Sequence, residues 1–279
     1  MILHDALAIE VENSLIEARR NTIGRCMITF GDLIDRAKVM ELIDEGTGEG
    51  IRVGILDSGV DFTHPDLADA RHQSVEVKEH QGEFVCQESP GTDILGHGTM
   101  CAGVIHRIAP EAQLYNIKIL DESGRNSPSK VIAGIQWAVA NDLHVLNLSL
   151  VSLNMSRNSI VDMLYWVEKA YYKGMVLVAA TDNRQKQGFP GDYTSVIGVD
   201  FQHFPDFRSF NFYLGKAVEM EAKGVYVDVP FPGNQYIKTT CTSIACPHVT
   251  GLVARLLSSI PGLTPFQVKT LLLAARVNS

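Results

Sequence analysis

The sequence predicts an α/β fold: a single doubly wound domain with a mainly parallel central sheet flanked by helices. Short, continuously apolar runs, typical of strands buried on both faces, alternate with helical stretches along the chain. The 279 residues, 46% of them hydrophobic, are enough for one large core. No internal repeat or low-complexity segment interrupts this order.

The N-terminal part is helical in pattern but stands outside the alternation. Residues 5–20 have mixed polarity, and residues 32–43 form a second helix-like stretch. The turn residues of "DEGTGEG" then break the pattern. We therefore predict a helical extension over residues 1–37 and a globular domain over residues 38–279.

The domain begins its alternation at residue 51. Buried strands are predicted at residues 51–56, 114–120, 144–150, 175–181 and 195–200. Helices are predicted at residues 127–141 and 159–174, with Gly174 as the stop of the second. Residues 201–240 are richer in aromatic residues, Gly and Pro, and we expect irregular strands and loops there.

The stretch "TCTSIACPHVTG" at residues 240–251 opens another helix. Apolar residues recur at i, i+3, i+4, i+7 and i+8, namely Val249, Leu252, Val253, Leu256 and Leu257. Pro247 is tolerated only near a helix start, so the helix begins close to Ser243 or Ile244. Ser243 is then either an ordinary N-cap or a residue with a chemical role.

Charge and cysteine content exclude several classes of protein. The net charge is −8 and no Lys/Arg run is visible, so nucleic acid and anionic membranes are poor partners. No apolar run reaches the length of a bilayer, and the N-terminus lacks the cationic start of a secretory signal. Five cysteines with no CxxC pair argue against a disulfide framework. We expect a cytoplasmic protein.

Two further side chains, with Ser243, could form a catalytic group. Asp57 follows a predicted strand at the sheet edge where function gathers, although a capping role would also fit. His97 lies between two glycines without metal-ligand spacing, so it is a satisfied core residue or a general base. A serine nucleophile needs such a base and a carboxylate that orients it, and Asp, His, Ser is a known chain order for this chemistry.

The blocks "VGILDSGVDFTHPDL", "GHGTMCAG" and "TSIACPHVTG" resemble the three signature motifs of the subtilisin-like serine proteases, the subtilases. The resemblance runs from about Lys38 to the end. It implies a subtilisin-like fold and a serine endopeptidase that forms an acyl-enzyme at Ser243, with His97 as base and then acid, and Asp57 orienting it. "VAATDN" matches the stretch with the family's oxyanion-hole asparagine, which implies that role for Asn183 rather than that of a turn residue.

The resemblance also implies where a peptide substrate binds. A glycine-containing strand edge of the family corresponds here to Ser149, Leu150, Val151 and Ser152, the last two of which replace glycines. Arg184 lies where a relative's residue lines the mouth of the primary pocket, although an exposed arginine can also be merely solvated. We expect a narrowed pocket that prefers a negative or small side chain before the cut. The expected substrate is a restricted one, such as a precursor peptide or a regulatory protein.

Other positions depart from the family pattern. Cys241 and Asp182 replace glycines near the oxyanion site, and Cys101 matches a buried free cysteine of a proteinase K-like branch. The longer calcium-binding loop of many secreted relatives is not found after His97, so we predict no metal and no cofactor, with calcium left open as the alternative. The family's closing G-x-G-x-x-N segment is not found after residues 263–275.

Two other functions remain open at this stage. One is a non-catalytic scaffold of the same fold, which would bind a peptide by adding it as a strand to the "SLVSL" edge. The other is transfer of the acyl group to an amine instead of water. The sequence does not predict an oligomeric state.

Overall fold

The computed structural model describes residues 35–152, 155–181, 188–216 and 218–278. The strands in these residues are β1 (Arg52–Asp57), β2 (His72–His80), β3 (Glu83–Glu88), β4 (Gln113–Lys118), β5 (Val145–Leu148), β6 (Val176–Ala180), β7 (Val196–Gln202), β8 (Asn211–Phe212), β9 (Met220–Lys223), β10 (Val227–Phe231) and β11 (Gln235–Thr239). The α-helices are α1 (Arg36–Glu45), α2 (His97–Ile108), α3 (Pro128–Ala140), α4 (Arg157–Tyr172), α5 (Thr242–Ser259) and α6 (Pro265–Ala275).

The described strands β1 to β9 form one sheet, in the order β3-β2-β4-β1-β5-β6-β7-β9-β8. Neighbours from β2 to β9 run parallel, while β3 and β8 join the two edges antiparallel. β10 and β11 form a separate antiparallel hairpin. The predicted α/β fold with a mainly parallel sheet is confirmed, and the five predicted strands correspond to β1, β4, β5, β6 and β7.

Helices cover both faces of this sheet. Alternate strand residues point to opposite faces, so Val53 and Ile55 of β1 enter one core and Leu56 enters the other. Helices α1, α2, α5 and α6 pack in the first core, and α3 and α4 pack in the second. The predicted helices at 127–141 and 159–174 are therefore α3 and α4 on one face, opposite the helices that carry His97 and Ser243.

Two parts of the fold were not predicted, namely the β2–β3 hairpin and helix α6. The β2–β3 hairpin turns at Gln81 and Gly82, both of which have positive φ (54° and 86°). Helix α6 begins with a capping box between Thr264 and Gln267 and has a proline in its first turn. Both have local signals in the sequence. The hairpin has a glycine turn between stretches of alternating polarity, and the helix has a T-x-x-Q start.

Helix α1 belongs to the domain. Asp35 caps it by accepting hydrogen bonds from the backbone of Ala37 and Lys38, and Val39 and Ile43 are fully buried. The predicted boundary between residues 37 and 38 thus falls within the first turn of α1. Residues 1–34 lie outside the described residues, so the predicted extension remains a prediction.

None of the helices in the described ranges combines the length and the hydropathy that crossing a membrane would require.

Candidate active site

Strand β1 delivers Asp57 to the carboxyl edge of the sheet. The strand is an apolar run buried between β4 and β5, and Asp57 is its last residue. Its side chain is 1% exposed, and Oδ1 accepts a hydrogen bond of 2.7 Å from the Ser58 backbone N–H. A buried carboxylate needs such donors to offset its lost hydration.

Helix α2 brings His97 against this carboxylate. The helix begins at His97, and its next residue, Gly98, lies directly on the loop after β1. A Cβ on Gly98 would overlap the carbonyl oxygen of Gly59 and would lie 3.2 Å from the Asp57 Cβ. Only glycine lets the first turn of α2 approach this closely, which explains the small residue after the histidine.

Asp57 and His97 form a close pair. The Nδ1 atom of His97 lies 2.8 Å from Oδ1 and 2.9 Å from Oδ2 of Asp57. Because an ionised carboxylate can only accept, Nδ1 carries the proton and Nε2 is left with a free lone pair. This is the arrangement that a general base requires.

The electrostatic surroundings raise the pKa of His97 above its ordinary value of 6.5. The negative charge of Asp57 is the largest cause of this rise, burial opposes it, and the hydrogen bond that the ring donates to Asp57 and the charge of Asp93 add to it. A higher pKa makes the ring a stronger proton acceptor at the moment when a serine hydroxyl must lose its proton.

Ser243 lies in the first turn of α5. The helix begins at Thr242, close to the predicted start, and Cys241 is its N-cap without a side-chain hydrogen bond. The Ser243 hydroxyl donates a hydrogen bond of 3.3 Å to the Ser149 carbonyl oxygen. Among the described hydrogen bonds, none joins this hydroxyl to the His97 ring. A serine side chain has three staggered rotamers, and catalytic hydrogen bonds often form only with substrate bound.

The backbone of Ser243 is held from below by side chains of other elements. Its carbonyl oxygen accepts from the Ser149 hydroxyl at 3.0 Å and from the Cys101 thiol at 3.5 Å. Asn147 in turn donates to the Ser149 hydroxyl at 2.9 Å and accepts from the Thr250 hydroxyl at 2.8 Å. This buried polar network supports the backbone of Ser243, and no motif in the sequence indicated the parts played by Asn147 and Thr250.

The Cys101 thiol lies close to both Ser243 and the Asp57–His97 pair. One donor atom each of Asp57, His97 and Cys101 lies within 4.8 Å of the other two, and in the described part of the chain this is the one group close enough to share a metal ion. Cys101 is a fully buried free cysteine, and burial followed by the charge of Asp57 raises the pKa of its thiol well above the ordinary value. A thiol that keeps its proton is a poor ligand and a poor nucleophile, as expected for a buried cysteine.

The predicted substrate-binding edge is largely buried. Ser149, Leu150 and Ser152 are 4%, 8% and 5% exposed, and Val151 is half-buried. Ser152 forms an isolated antiparallel bridge with Phe189, with N–H···O bonds of 2.8 and 3.2 Å in the two directions. The Ser149 hydroxyl contacts the backbone of Ser243, and its predicted role in substrate binding remains a prediction. Across the described backbone, Leu150 and Val151 form no backbone–backbone hydrogen bond.

Three positions singled out in the sequence, Asp182, Asn183 and Arg184, lie outside the described residues. The oxyanion role of Asn183 and the pocket role of Arg184 therefore remain predictions.

Comparisons with known proteins agree on one family. The pattern of Peptidase_S8, the subtilase family, matches residues 48–278. Subtilisin DY from Bacillus licheniformis is 35% identical over 246 residues, which cover 83% of this chain and 85% of that protein. Subtilisin E from Bacillus subtilis (strain 168) is 32% identical over 252 residues, which cover 85% of this chain and 63% of that protein.

Solved structures show the same likeness. The S41 psychrophilic protease superposes with a TM-score of 0.69 at 26% identity and covers 84% of this chain and 87% of its own. A cold-adapted subtilisin-like serine proteinase superposes with a TM-score of 0.67 at 25% identity and covers 82% of this chain and 83% of its own.

Proposed function

The chain belongs to the subtilase family and is a serine endopeptidase, and we propose that it cuts a restricted set of peptides or proteins through an acyl-enzyme on Ser243. The observation that carries the proposal is the Asp57–His97 pair, in which the carboxylate fixes the tautomer and leaves Nε2 free as a base.

The proposed reaction has two halves. In the first, Ser243 Oγ attacks the substrate carbonyl carbon, His97 Nε2 takes the hydroxyl proton, and the same ring then protonates the leaving amine as the C–N bond breaks. In the second, water attacks the ester, gives its proton to His97, and Ser243 Oγ leaves with that proton. The Ser243 backbone N–H and the Asn183 amide would stabilise the oxyanion, and one such donor contributes about 3 to 4 kcal/mol.

Substrate binding is proposed at Leu150 and Val151. Their backbone is not used in the described sheet, so an extended peptide could pair there as an added strand. Beyond them, Ser152 is occupied by its bridge to Phe189, which limits how far such pairing could extend. A short binding edge with a side chain at Val151 supports selection of few sequences.

The residue before the cut is proposed to be acidic or small. Arg184 follows the proposed oxyanion asparagine and would place a cation at the mouth of the pocket, which favours a carboxylate. Side chains at positions 151 and 152, where relatives have glycine, would make the pocket tighter.

This proposal is tested by incubating the peptides of a mixed protein digest with the purified full chain. Mass spectrometry then identifies the peptides that the chain releases. We expect a short list of cut sites enriched in Asp, Glu or small residues before the cut. Arg184→Glu should lower cutting after acidic residues about tenfold or more, while Arg36→Glu, an exposed arginine at the start of α1, should leave the pattern unchanged. Broad cutting after Phe and Leu would show that the pocket is open and the proposed selectivity is wrong.

In the scaffold alternative, the Ser243 hydroxyl would keep its bond to the Ser149 carbonyl and would never reach His97. A scaffold would bind peptides without releasing products, so the same experiment would yield no new peptide termini.

A further inference from the structure

Asp93 is a buried carboxylate beside the catalytic pair that no part of the proposed reaction uses. It lies in the loop before α2 and is 4% exposed. Its Oδ1 accepts from the Ser58 hydroxyl at 2.9 Å, the Leu95 N–H at 3.1 Å and the Gly96 N–H at 2.8 Å. Its Oδ2 accepts from the Thr99 N–H at 2.9 Å and the Thr99 hydroxyl at 2.6 Å.

Hydrogen bonds, rather than ion pairs, offset the hydration that this carboxylate loses on burial. Within the described residues, no lysine, arginine or histidine forms an ion pair with Asp93. Helix α2 has Gly96 as its N-cap and therefore no side-chain cap of its own. Asp93 supplies that cap from outside the helix, and the positive end of α2 favours its negative charge.

Ser58 connects Asp93 to the Asp57 carboxylate and to the backbone of the first turn of α2, which begins at His97. Its hydroxyl donates to Asp93 and accepts from the Gly98 N–H at 3.0 Å, in the first turn of α2. Its own N–H donates to Asp57 at 2.7 Å. The loop after β1 and the start of α2 are thus joined directly by the Ser58–Gly98 hydrogen bond and also through Asp93, which accepts from both Ser58 and Thr99.

We propose that Asp93 is a positioning residue, which holds the loop after Asp57 against the first turn of α2 and places a second negative charge near the His97 ring. The expected effect of Asp93 on turnover rests on the proposed function, whereas its expected effect on the proton affinity of the His97 ring does not.

The groups that act on His97 come from three elements. Asp57 faces it from the end of β1, Asp93 from the preceding loop, and the neutral thiol of Cys101 from one turn further along α2. The charges of Asp57 and then Asp93 raise the pKa of His97. Removing the charge of Asp93 should lower the pKa of His97. If Asp93 only capped the helix, its replacement would change the free energy of unfolding and leave that pKa unchanged.

An NMR titration of the His97 ring protons tests the electrostatic part without any need for activity. The full chain would carry Ser243→Ala to prevent self-digestion, and the His97 signals would be identified by their loss in His97→Gln. Asp93→Asn should lower the pKa of His97. The matched control is Asp61→Asn in the loop after β1, because Asp61 also accepts from backbone N–H groups, those of Thr63 and Gly233. An unchanged pKa in folded Asp93→Asn would overturn the proposal.

Steady-state kinetics per labelled active site test the positioning part. Asp93→Asn should reduce kcat roughly 10- to 100-fold with KM changed by less than about threefold, and Asp61→Asn should stay within about threefold of the parent chain. If Asp93→Asn fails to fold, Ser58→Ala keeps the charge but removes the connecting hydroxyl and should lower kcat by at least about threefold. A Ser58→Ala chain with unchanged kcat would also overturn the proposal. A parent chain that hydrolyses nothing would contradict the proposed function, while the NMR result would still decide the role of Asp93.

Discussion

Asp57 acts on His97 in two ways at the scale of the single residue. Its two oxygens, 2.8 and 2.9 Å from Nδ1, fix the ring and its tautomer. Its charge also raises the pKa of the ring, although burial opposes this. Orientation and proton affinity therefore depend on the same carboxylate.

The pH dependence of activity follows from that shift. The base is active when neutral, so kcat/KM should be full above the raised pKa of His97 and should fall as the pH drops through it. A pH profile of kcat/KM should place this acidic limb above 6.5, the ordinary value for histidine. An acidic limb at or below 6.5 would contradict the account of the pair.

Asp57→Asn should be severe although it changes little in shape. The amide can present a donor to Nδ1 and so favour the wrong tautomer, and we expect kcat to fall on the order of 10⁴-fold. The measurement is kcat on a cleaved peptide, with circular dichroism to show that the fold is retained. A loss of less than about tenfold in a folded variant would mean that Asp57 does not orient His97.

The sequence could predict some of these residues and not others. Asp57, His97 and Ser243 stand in local motifs that neighbouring residues make recognisable. Asn147 has no such setting, because its role comes from Thr250, 103 residues away along the chain. Asp93 is similar, since its bond to Ser58 spans 35 residues. Hydrogen bonds over such separations follow from the completed fold.

At the scale of the element, the start of α2 is the critical contact. Gly98 allows the helix to rest on the loop that carries Asp57, with no space for a Cβ beside the Gly59 carbonyl oxygen. The helix end and the loop therefore set the distance between carboxylate and imidazole.

Gly98→Ala should damage both stability and turnover. The added methyl must push backbone apart, which we expect to cost about 1 to 3 kcal/mol in free energy of unfolding. A displacement of about 1 Å in His97 should lower kcat roughly 100-fold. Denaturant unfolding and kcat per labelled active site measure the two effects.

Gly251→Ala is the matched control for this prediction. It crowds Ile108 where α5 meets α2, at a Cβ distance of 2.7 Å, but does not touch Asp57 or the first turn of α2. It should lose stability while keeping kcat within about threefold. Equal kcat losses in the two variants would mean that general loosening, not the contact at Gly98, limits catalysis.

Hydrophobic periodicity predicted the buried elements well, because a buried strand or helix face requires apolar residues at regular positions in the sequence. Strands β1 and β5 are mostly apolar and almost entirely buried, because helices cover both faces of the sheet. The β2–β3 hairpin escaped prediction because it lies at the sheet edge, where only Val75 and Val77 of its two strands are buried and many of the other residues are exposed and polar. Helix α6 carries a clear capping box and could have been found.

At the scale of the whole molecule, the doubly wound topology brings distant motifs together. Asp57 arrives at the carboxyl edge on β1, and the face covered by α2 and α5 supplies His97 and Ser243. Parallel strands order all their carboxyl ends on one edge, so such a convergence is expected once the fold class is known. The hydroxyl direction of Ser243 depends on one side-chain rotamer, which neither composition nor topology determines.

The central claim is that Ser243 is a nucleophile activated by the Asp57–His97 pair. Reaction of the purified full chain with a fluorophosphonate, followed by peptide mapping of the adduct, tests it most directly. We expect one adduct on Ser243, no adduct in Ser243→Ala, and normal labelling of Ser123→Ala, which removes a hydroxyl on an exposed turn. A folded chain that stays unlabelled, or one labelled at a different residue, would contradict the account.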